Sequence, residues 1–212
     1  MSNKYLNKTY TNKQGLNYKI VHYNTYYDII VMFDSGYIKS ATMKEVKRNA
    51  IKDKLSPSVY GVGIVGIRYN TKVDGKHAIE YGTWKNMLRR CYSEKCRQKF
   101  QSYNDCTVSE NFKKYSYFYE WCEQQKGFNT FDENGNIFEL DKDLLFKDNK
   151  LYSEYTCVFL PKEVNALVTW YKDYKNENDM CIKEYTLLTL AEKWKDKIDE
   201  RAYQALKNFL YT

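Results

Sequence analysis

The chain has 212 residues, of which 34 are Lys or Arg and 27 are Asp or Glu, so that its formal net charge is +7. That length can bury one or two hydrophobic cores, and only 2 Pro and 9 Gly argue against long linkers. No apolar run approaches the roughly 18–20 residues of a membrane-spanning helix, and the N-terminal segment lacks the apolar stretch of a signal peptide. We therefore expect a soluble protein of the cell interior that does not associate with a membrane.

The charge is distributed unevenly along the chain. Residues 1–130 contain 22 Lys or Arg and 11 Asp or Glu, whereas residues 131–212 contain 12 and 16. A polyanion would therefore bind most favourably to the first part of the chain. A basic surface that only keeps the protein in solution explains the same numbers equally well, and both interpretations stay open.

The N-terminal part of the chain is predicted to form a small antiparallel β module. Apolar and polar residues alternate over 18–23, which indicates a half-buried strand. A turn sequence, Asp34-Ser35-Gly36, separates two further strands over 29–33 and 37–40, so that these form a hairpin. The segment Thr42–Arg48 fits either a last strand or a short helix.

Two amphipathic helices are predicted next. Thr83 is a candidate N-cap for the first helix and Ser109 for the second, which Gly127 ends. The apolar stripe of the first helix consists of Trp84, Met87, Leu88, Cys91 and Tyr92. The stripe of the second consists of Phe112, Tyr115, Phe118, Tyr119 and Cys122. Both stripes are expected to face the core, which makes their cysteines, together with Cys157, buried free thiols rather than zinc ligands.

The stretch 139–167 is predicted to fold in the order strand, turn, strand, helix. Residues 140–145 alternate between charged and apolar side chains, and Asp148-Asn149-Lys150 supplies turn chemistry. Residues 156–160 are β-branched and apolar, as in a second strand, and Pro161 suits the first turn of a following helix.

Two further helices are predicted to close the chain. The first contains Leu187, Leu190, Ala191, Trp194 and Ile198; the second, capped by Asp199, contains Ala202, Leu206, Phe209 and Leu210. The predicted fold class is α+β with three parts: a small N-terminal antiparallel β module (1–60), helices packed on the central ββα unit (61–170), and a C-terminal helical segment (171–212).

The central unit resembles the ββα unit of phage-encoded HNH endonucleases. The residues that carry this resemblance are Leu140-Asp141-Lys142-Asp143, Asn149-Lys150-Leu151-Tyr152-Ser153, Thr156-Cys157-Val158-Phe159 and Asn165. Upstream, the segment 57–63 and the Trp-x-x-Met-Leu-x-Arg-Cys-Tyr pattern over 84–92 are similar to the same family. The Apetala-type β-sheet module that such proteins often carry before their closing helices has no counterpart here, which implies its loss.

The resemblance implies an HNH-like fold and, in active members, cleavage of DNA with the help of a divalent metal. It implies Asp141, Asp143 and Asn165 as catalytic residues, with Asp141 and Asn165 as ligands of Mg²⁺ or Mn²⁺. The family uses a His on the first strand as general base, and that position holds Lys142. A lysine is normally a cation near neutral pH and so a poor proton acceptor. A purely structural ββα module without a cofactor is the alternative.

Phosphate contacts are expected from the cationic residues of the first helix and of the central unit: Lys85, Arg89, Arg90, Lys142 and Lys150. From these features we expect a phage-derived protein that binds duplex DNA on a degenerate HNH scaffold in the cytoplasm of the infected bacterium, with cleavage weak or absent. Two alternatives stay open. One is an active metal-dependent endonuclease, and the other is a phage inhibitor or adaptor that binds a host defence protein.

Overall fold

The structure, a computed structural model, describes residues 4–173 and 177–208, and it describes the side chains of residues 4–168 and 186–208. Over these residues the chain is mixed α+β, as predicted. None of the helices in this part of the chain is both long enough and apolar enough to cross a membrane.

The chain divides into two compact units, residues 1–69 and residues 70–212. The first unit extends past residue 60 and includes the segment 61–66, which contains three glycines. This segment contacts the preceding residues through the N–H of Gly66, which donates to the carbonyl of Lys54 at 2.8 Å. The predicted C-terminal segment is grouped with the second unit rather than standing apart.

The first unit is a four-stranded antiparallel sheet with one short helix. The strands neighbour one another in chain order: β1 (Thr9–Thr11), β2 (Asn17–Thr25), β3 (Asp28–Phe33) and β4 (Ile38–Ala41). The predicted hairpin joins β3 and β4. The segment after β4 is a helix, α1 (Met43–Lys47), because Thr42 and Glu45 form a capping box at its start. Alternate strand residues, residues of α1 and Ile51, which follows α1, build the core: Tyr18, Ile20, Ile29, Val31, Phe33, Ala41, Met43, Val46 and Ile51.

The second unit combines six helices with three pairs of short strands in the described residues. The helices are α2 (Ile79–Tyr92), α3 (Glu94–Lys99), α4 (Tyr115–Glu123), α5 (Lys162–Asp173), α6 (Glu177–Trp194) and α7 (Glu200–Asn208), with a 3₁₀ turn over Gln101–Tyr103. The strands are β5 (Lys72–Val73), β6 (Lys76–His77), β7 (Thr107–Val108), β8 (Glu139–Asp141), β9 (Leu151–Tyr152) and β10 (Val158–Leu160). β5 pairs with β6 and β8 with β10 in antiparallel fashion, whereas β7 and β9 run parallel.

The helices α2 and α4 carry the predicted apolar stripes, but both predicted N-caps are wrong. Thr83 lies inside α2, where its hydroxyl donates to the carbonyl of Ile79 at 3.0 Å, because the helix begins one turn earlier. Ser109 holds a separate turn by accepting the N–H of Phe112 at 3.3 Å, and α4 begins later. The buried stripe residues on the two helices are Trp84, Met87, Leu88, Cys91, Tyr115, Phe118 and Cys122. Phe112 is buried too, but it lies in the turn before α4.

Both predicted C-terminal helices are present, but α6 ends at Trp194, so that Ile198 lies in the turn after it. Asp199 caps the second helix, as predicted. Its Oδ1 accepts the N–H of Arg201 at 2.8 Å. The apolar residues that face the core are Leu187, Ala191, Trp194, Ile198, Ala202 and Leu206. The predicted contributions of Phe209 and Leu210 lie outside the described residues.

Candidate functional site

Residues 139–167 fold in the predicted order, with two short paired strands followed by a helix. β8 and β10 pair in antiparallel register, and α5 starts directly after Pro161. The carbonyl of Pro161 accepts the N–H of Asn165 at 3.0 Å. The side-chain amide of Asn165 in turn donates to Glu139 Oε2 at 2.7 Å, so that the first turn of α5 is joined to the start of β8.

The first strand is shorter than the predicted 140–145 because the side chain of Asp141 ends it. Asp141 Oδ2 accepts the N–H groups of Asp143 and Leu144 at 2.7 and 2.8 Å, and this local bonding competes with a strand ladder. Asp141 is only 4% exposed. Burial raises the pKa of Asp141 above its usual value, against the opposite effect of the two N–H donors.

The second strand is also shorter than predicted, since Thr156 belongs to the preceding turn. Its hydroxyl accepts the N–H of Ser153 at 3.0 Å and donates to the carbonyl of Leu151 at 2.7 Å. β10 therefore begins at Val158. β9, which lies between the two predicted strands and pairs with β7, was not predicted from the sequence.

Lys142 occupies the position where the resemblance implies a catalytic His, and its side chain is buried and hydrogen-bonded within the protein. Only 4% of the residue is exposed. Its ammonium donates to Asp143 Oδ1 at 2.7 Å and to the carbonyl of Asn149 at 3.0 Å. It also lies 5.6 Å from the ring centroid of Tyr152. The ammonium therefore joins the start of the loop after β8, at Asp143, to its end at Asn149.

The predicted turn at Asp148-Asn149-Lys150 is confirmed and closes the same loop. Asp148 has a φ of 57°, in the left-handed region that Asp tolerates. The amide of Asn149 donates to the carbonyl of Lys142 at 2.7 Å and to that of Leu151 at 2.8 Å. The side chain of Asn149 thus joins Lys142 to Leu151, the two ends of the loop that contains Asp143.

A cleft of about 380 Å³ lies beside this loop. Six of the predicted site residues line it: Arg90, Asp141, Lys142, Asp143, Lys150 and Asn165. Ser102 and Tyr103 also line it and were not predicted from the sequence, because their segment has no periodic pattern. Lys150 Nζ donates to the carbonyl of Ser102 at 3.2 Å, and the Arg90 guanidinium lies 5.6 Å from the ring centroid of Tyr103.

The other two predicted phosphate-binding residues, Lys85 and Arg89, do not line the cleft. They are four positions apart and share one face of α2, where Lys85 is half-buried and Arg89 exposed. Successive helical residues point in directions about 100° apart. Arg90 therefore faces the cleft while its neighbour faces solvent.

The residues predicted to hold Mg²⁺ or Mn²⁺ do not fit a dedicated metal site. Asp141 Oδ2 already accepts two backbone N–H groups, and Asn165 directs its amide nitrogen at Glu139. Asp143 Oδ1 accepts the ammonium of Lys142, whose charge repels a metal ion. In the described part of the chain, no group of three or more His, Cys, Asp or Glu side chains is placed to hold a metal. The catalytic roles of Asp141, Asp143 and Asn165 stay predictions.

The two histidines lie elsewhere. His22 is an exposed residue of β2, and His77 is an exposed residue of β6 whose ring centroid is 5.1 Å from that of Tyr81. The described lining of the cleft contains neither of them. The described lining of the cleft therefore includes no histidine that could act as a general base.

The predicted buried thiols are confirmed for Cys91, Cys122 and Cys157, and the five described cysteines form no disulfide with one another. Burial raises the pKa of Cys91 to about 12 and that of Cys122 well above its usual range. These thiols therefore stay protonated near neutral pH and are poor metal ligands or nucleophiles.

No protein-family model, no curated protein and no solved structure matches the chain. The resemblance of the central unit to HNH endonucleases stays a prediction, and function has to follow from the residues of the cleft.

Proposed function

We propose that this chain is a phage-derived nucleic-acid-binding protein on an HNH-like scaffold, with cleavage weak or absent. Its proposed ligand is the phosphate backbone of duplex DNA. The observation that supports this is the meeting of Arg90, Lys142 and Lys150 in one cleft, although they come from α2, from the loop after β8 and from the turn before β9. Cationic side chains gathered from separate segments are suited to phosphate contacts.

Three cations and three carboxylates line the cleft: Arg90, Lys142 and Lys150, and Asp141, Asp143 and Asp148. Asp143 is offset by the buried ammonium next to it. Asp141 is buried and its Oδ2 accepts two backbone N–H groups, whereas Asp148 is exposed to solvent, as Lys150 is. We assign the phosphate contacts to Arg90 and Lys150, since the ammonium of Lys142 already donates to Asp143. A guanidinium can bind two phosphate oxygens at once, which an ammonium cannot do in a fixed geometry.

The proposed weakness of cleavage rests on the groups that surround the acidic pair. General-base catalysis needs a proton acceptor within hydrogen-bond reach of the attacking water. In the proposed site the corresponding side chain is the ammonium of Lys142, which donates to Asp143 and to Asn149. Because the Lys142 side chain acts as a hydrogen-bond donor that holds the loop after β8, it is not placed to accept a proton from water.

Binding of a short labelled DNA duplex, followed by fluorescence anisotropy over a series of salt concentrations, tests the proposal. We expect Lys150→Gln to weaken binding several-fold at low salt and to reduce the salt slope by about 0.9, the value for one phosphate contact. Lys147→Gln is the matched control, since it removes the same charge from an exposed lysine that does not line the cleft. Equal affinity of the two variants, or no binding by the wild type at low salt, would contradict the proposal.

Two further measurements separate the alternatives. Cleavage of plasmid DNA with Mg²⁺ or Mn²⁺ that disappears in Asp141→Ala would favour an active endonuclease. A bacterial protein that stays bound after nuclease treatment, and equally to Lys150→Gln, would favour a phage inhibitor or adaptor.

A further inference from the structure

The tip of the β2–β3 hairpin carries two adjacent tyrosines, Tyr26 and Tyr27. Tyr27 is 77% exposed, more than any other large hydrophobic residue among the described side chains, and Tyr26 is 38% exposed. Their rings meet edge to face, with centroids 5.3 Å apart. The ring of Tyr27 is thus ordered by one edge contact while most of its surface stays accessible to a ligand.

Turn chemistry does not explain these two residues. A two-residue hairpin loop favours Asn-Gly or Asp-Gly because both positions take a positive φ. Tyr26 and Tyr27 both lie in the described chain, and neither has a positive φ. The strand pairing instead shifts register between Tyr23 and Thr25, which bends the end of the hairpin. The backbone of the turn therefore does not require aromatic residues, and Tyr27 presents most of its ring to solvent.

A basic helix face adjoins the tyrosines. The N–H of Met43 donates to the carbonyl of Tyr26 at 2.9 Å and so holds the start of α1 against the hairpin tip. Lys44, Lys47 and Arg48 follow at positions i, i+3 and i+4, which place them on one side of the helix, and all three are exposed. The Lys47 ammonium lies 5.3 Å from the ring centroid of Tyr26.

The acidic side chains beside this face are already engaged. Glu45 is used by the cap of α1 and by an ion pair at 3.5 Å, and Asp28 accepts the amide of Asn24 at 3.0 Å. Residues 1–69 contain 11 Lys or Arg and 4 Asp or Glu, whereas residues 70–212 contain 23 of each. The whole net charge of +7 therefore belongs to the first unit, which is complementary to a polyanion.

We propose that Tyr26, Tyr27, Lys44, Lys47 and Arg48, which we name the Tyr27 patch, bind single-stranded nucleic acid. An unpaired base stacks on Tyr27, and the basic face contacts the flanking phosphates. Stacking of this kind needs an unpaired base, because bases inside a duplex already stack on one another. The ligand differs from that of the cleft, so that the two proposals succeed or fail separately.

Binding of a short labelled oligo(dT) to the full chain tests the patch. We expect Tyr27→Ala to weaken binding about 10-fold, within the range for the loss of one stacked base. Tyr27→Phe keeps the ring and should bind as the wild type does. The matched control is Tyr155→Ala, which removes a ring that is 74% exposed from the second unit and should leave binding unchanged.

An abasic oligonucleotide of the same length separates stacking from charge. The wild type should prefer oligo(dT) to the abasic strand, Tyr27→Ala should lose that preference, and Lys44→Ala should weaken binding of both strands. Oligo(U), run in parallel, distinguishes RNA from DNA as the source of the unpaired base. Unchanged affinity of a folded Tyr27→Ala for oligo(dT), or an equal loss in Tyr155→Ala, would overturn the proposal.

Discussion

The ammonium of Lys142 lies 2.7 Å from the carboxylate of Asp143, and both residues border the cleft. Neighbouring residues of one strand would point to opposite faces of the sheet. The contact exists because Asp141 ends β8 and turns the chain through its bonds to two backbone N–H groups. The acidic pair and the lysine between them therefore form one folded loop rather than the edge of a strand.

We expect Lys142→Met to lower the free energy of unfolding by about 2 kcal/mol, because it removes a buried donor from a carboxylate and from a carbonyl. The side chain of Asp143 is 33% exposed, so that water replaces part of the lost contact and limits the cost. Urea unfolding measures the change. Lys147→Met, at an exposed lysine, should stay within about 0.5 kcal/mol of the wild type. Similar stabilities for the two variants would show that the ion pair does not hold the loop.

The stability of wild type relative to Asp141→Asn should depend on pH. Burial raises the pKa of Asp141 above the unfolded value of 3.8. Below pH 3.8 the carboxyl group of Asp141 is protonated in both the folded and the unfolded state, so that its ionisation does not change the free energy of unfolding. As the pH rises through the folded pKa, the unfolded state ionises first, and wild type loses stability relative to the Asn variant. Urea unfolding of both proteins over a pH series measures the difference, and a difference that does not change with pH would contradict the expectation.

Gly127→Ala should lower the free energy of unfolding by about 2 kcal/mol. Gly127 has a φ of +91°, and an added Cβ would lie 3.0 Å from the carbonyl oxygen of Phe159, which belongs to β10 and cannot move alone. Gly135→Ala is the control, since its φ is +77° but nothing lies within 4 Å of the added atom. It should cost only about 1 kcal/mol, for the left-handed backbone. Thermal unfolding compares the two variants. An equal loss of stability in both would show that the close approach of the added Cβ to Phe159 does not contribute.

Tyr18→Phe should raise the free energy of unfolding by about 1 kcal/mol. The hydroxyl of Tyr18 is buried in the core of the first unit and has no hydrogen-bond partner among the described residues. Tyr115→Phe is the opposite case, because the hydroxyl of Tyr115 donates to the carbonyl of Asn70 at 3.1 Å. Its loss should cost about 1 kcal/mol. Urea unfolding measures both changes, and a destabilised Tyr18→Phe would contradict the expectation.

Local patterns were enough to predict most of the helices and the β3–β4 hairpin, because those patterns depend on residues two to four positions apart. The helix starts were predicted less well. Thr83 has the residue type of an N-cap, but the chain enters α2 earlier, after Ala78, whose N–H donates to the carbonyl of Thr71 at 3.1 Å. This bond closes the β5–β6 hairpin, and the helix starts directly after that hairpin rather than at the residue with the best capping side chain.

For the candidate site, the sequence by itself determined the residue types, including a Lys at position 142, and the order strand, strand and helix. Only the tertiary structure decided which residues meet. The direction of each side chain on α2 placed Arg90, and not Arg89, at the cleft, and pairing of β7 with β9 brought the segment of Tyr103 beside the acidic loop. Such pairings join residues far apart in the chain, and no local periodicity records them.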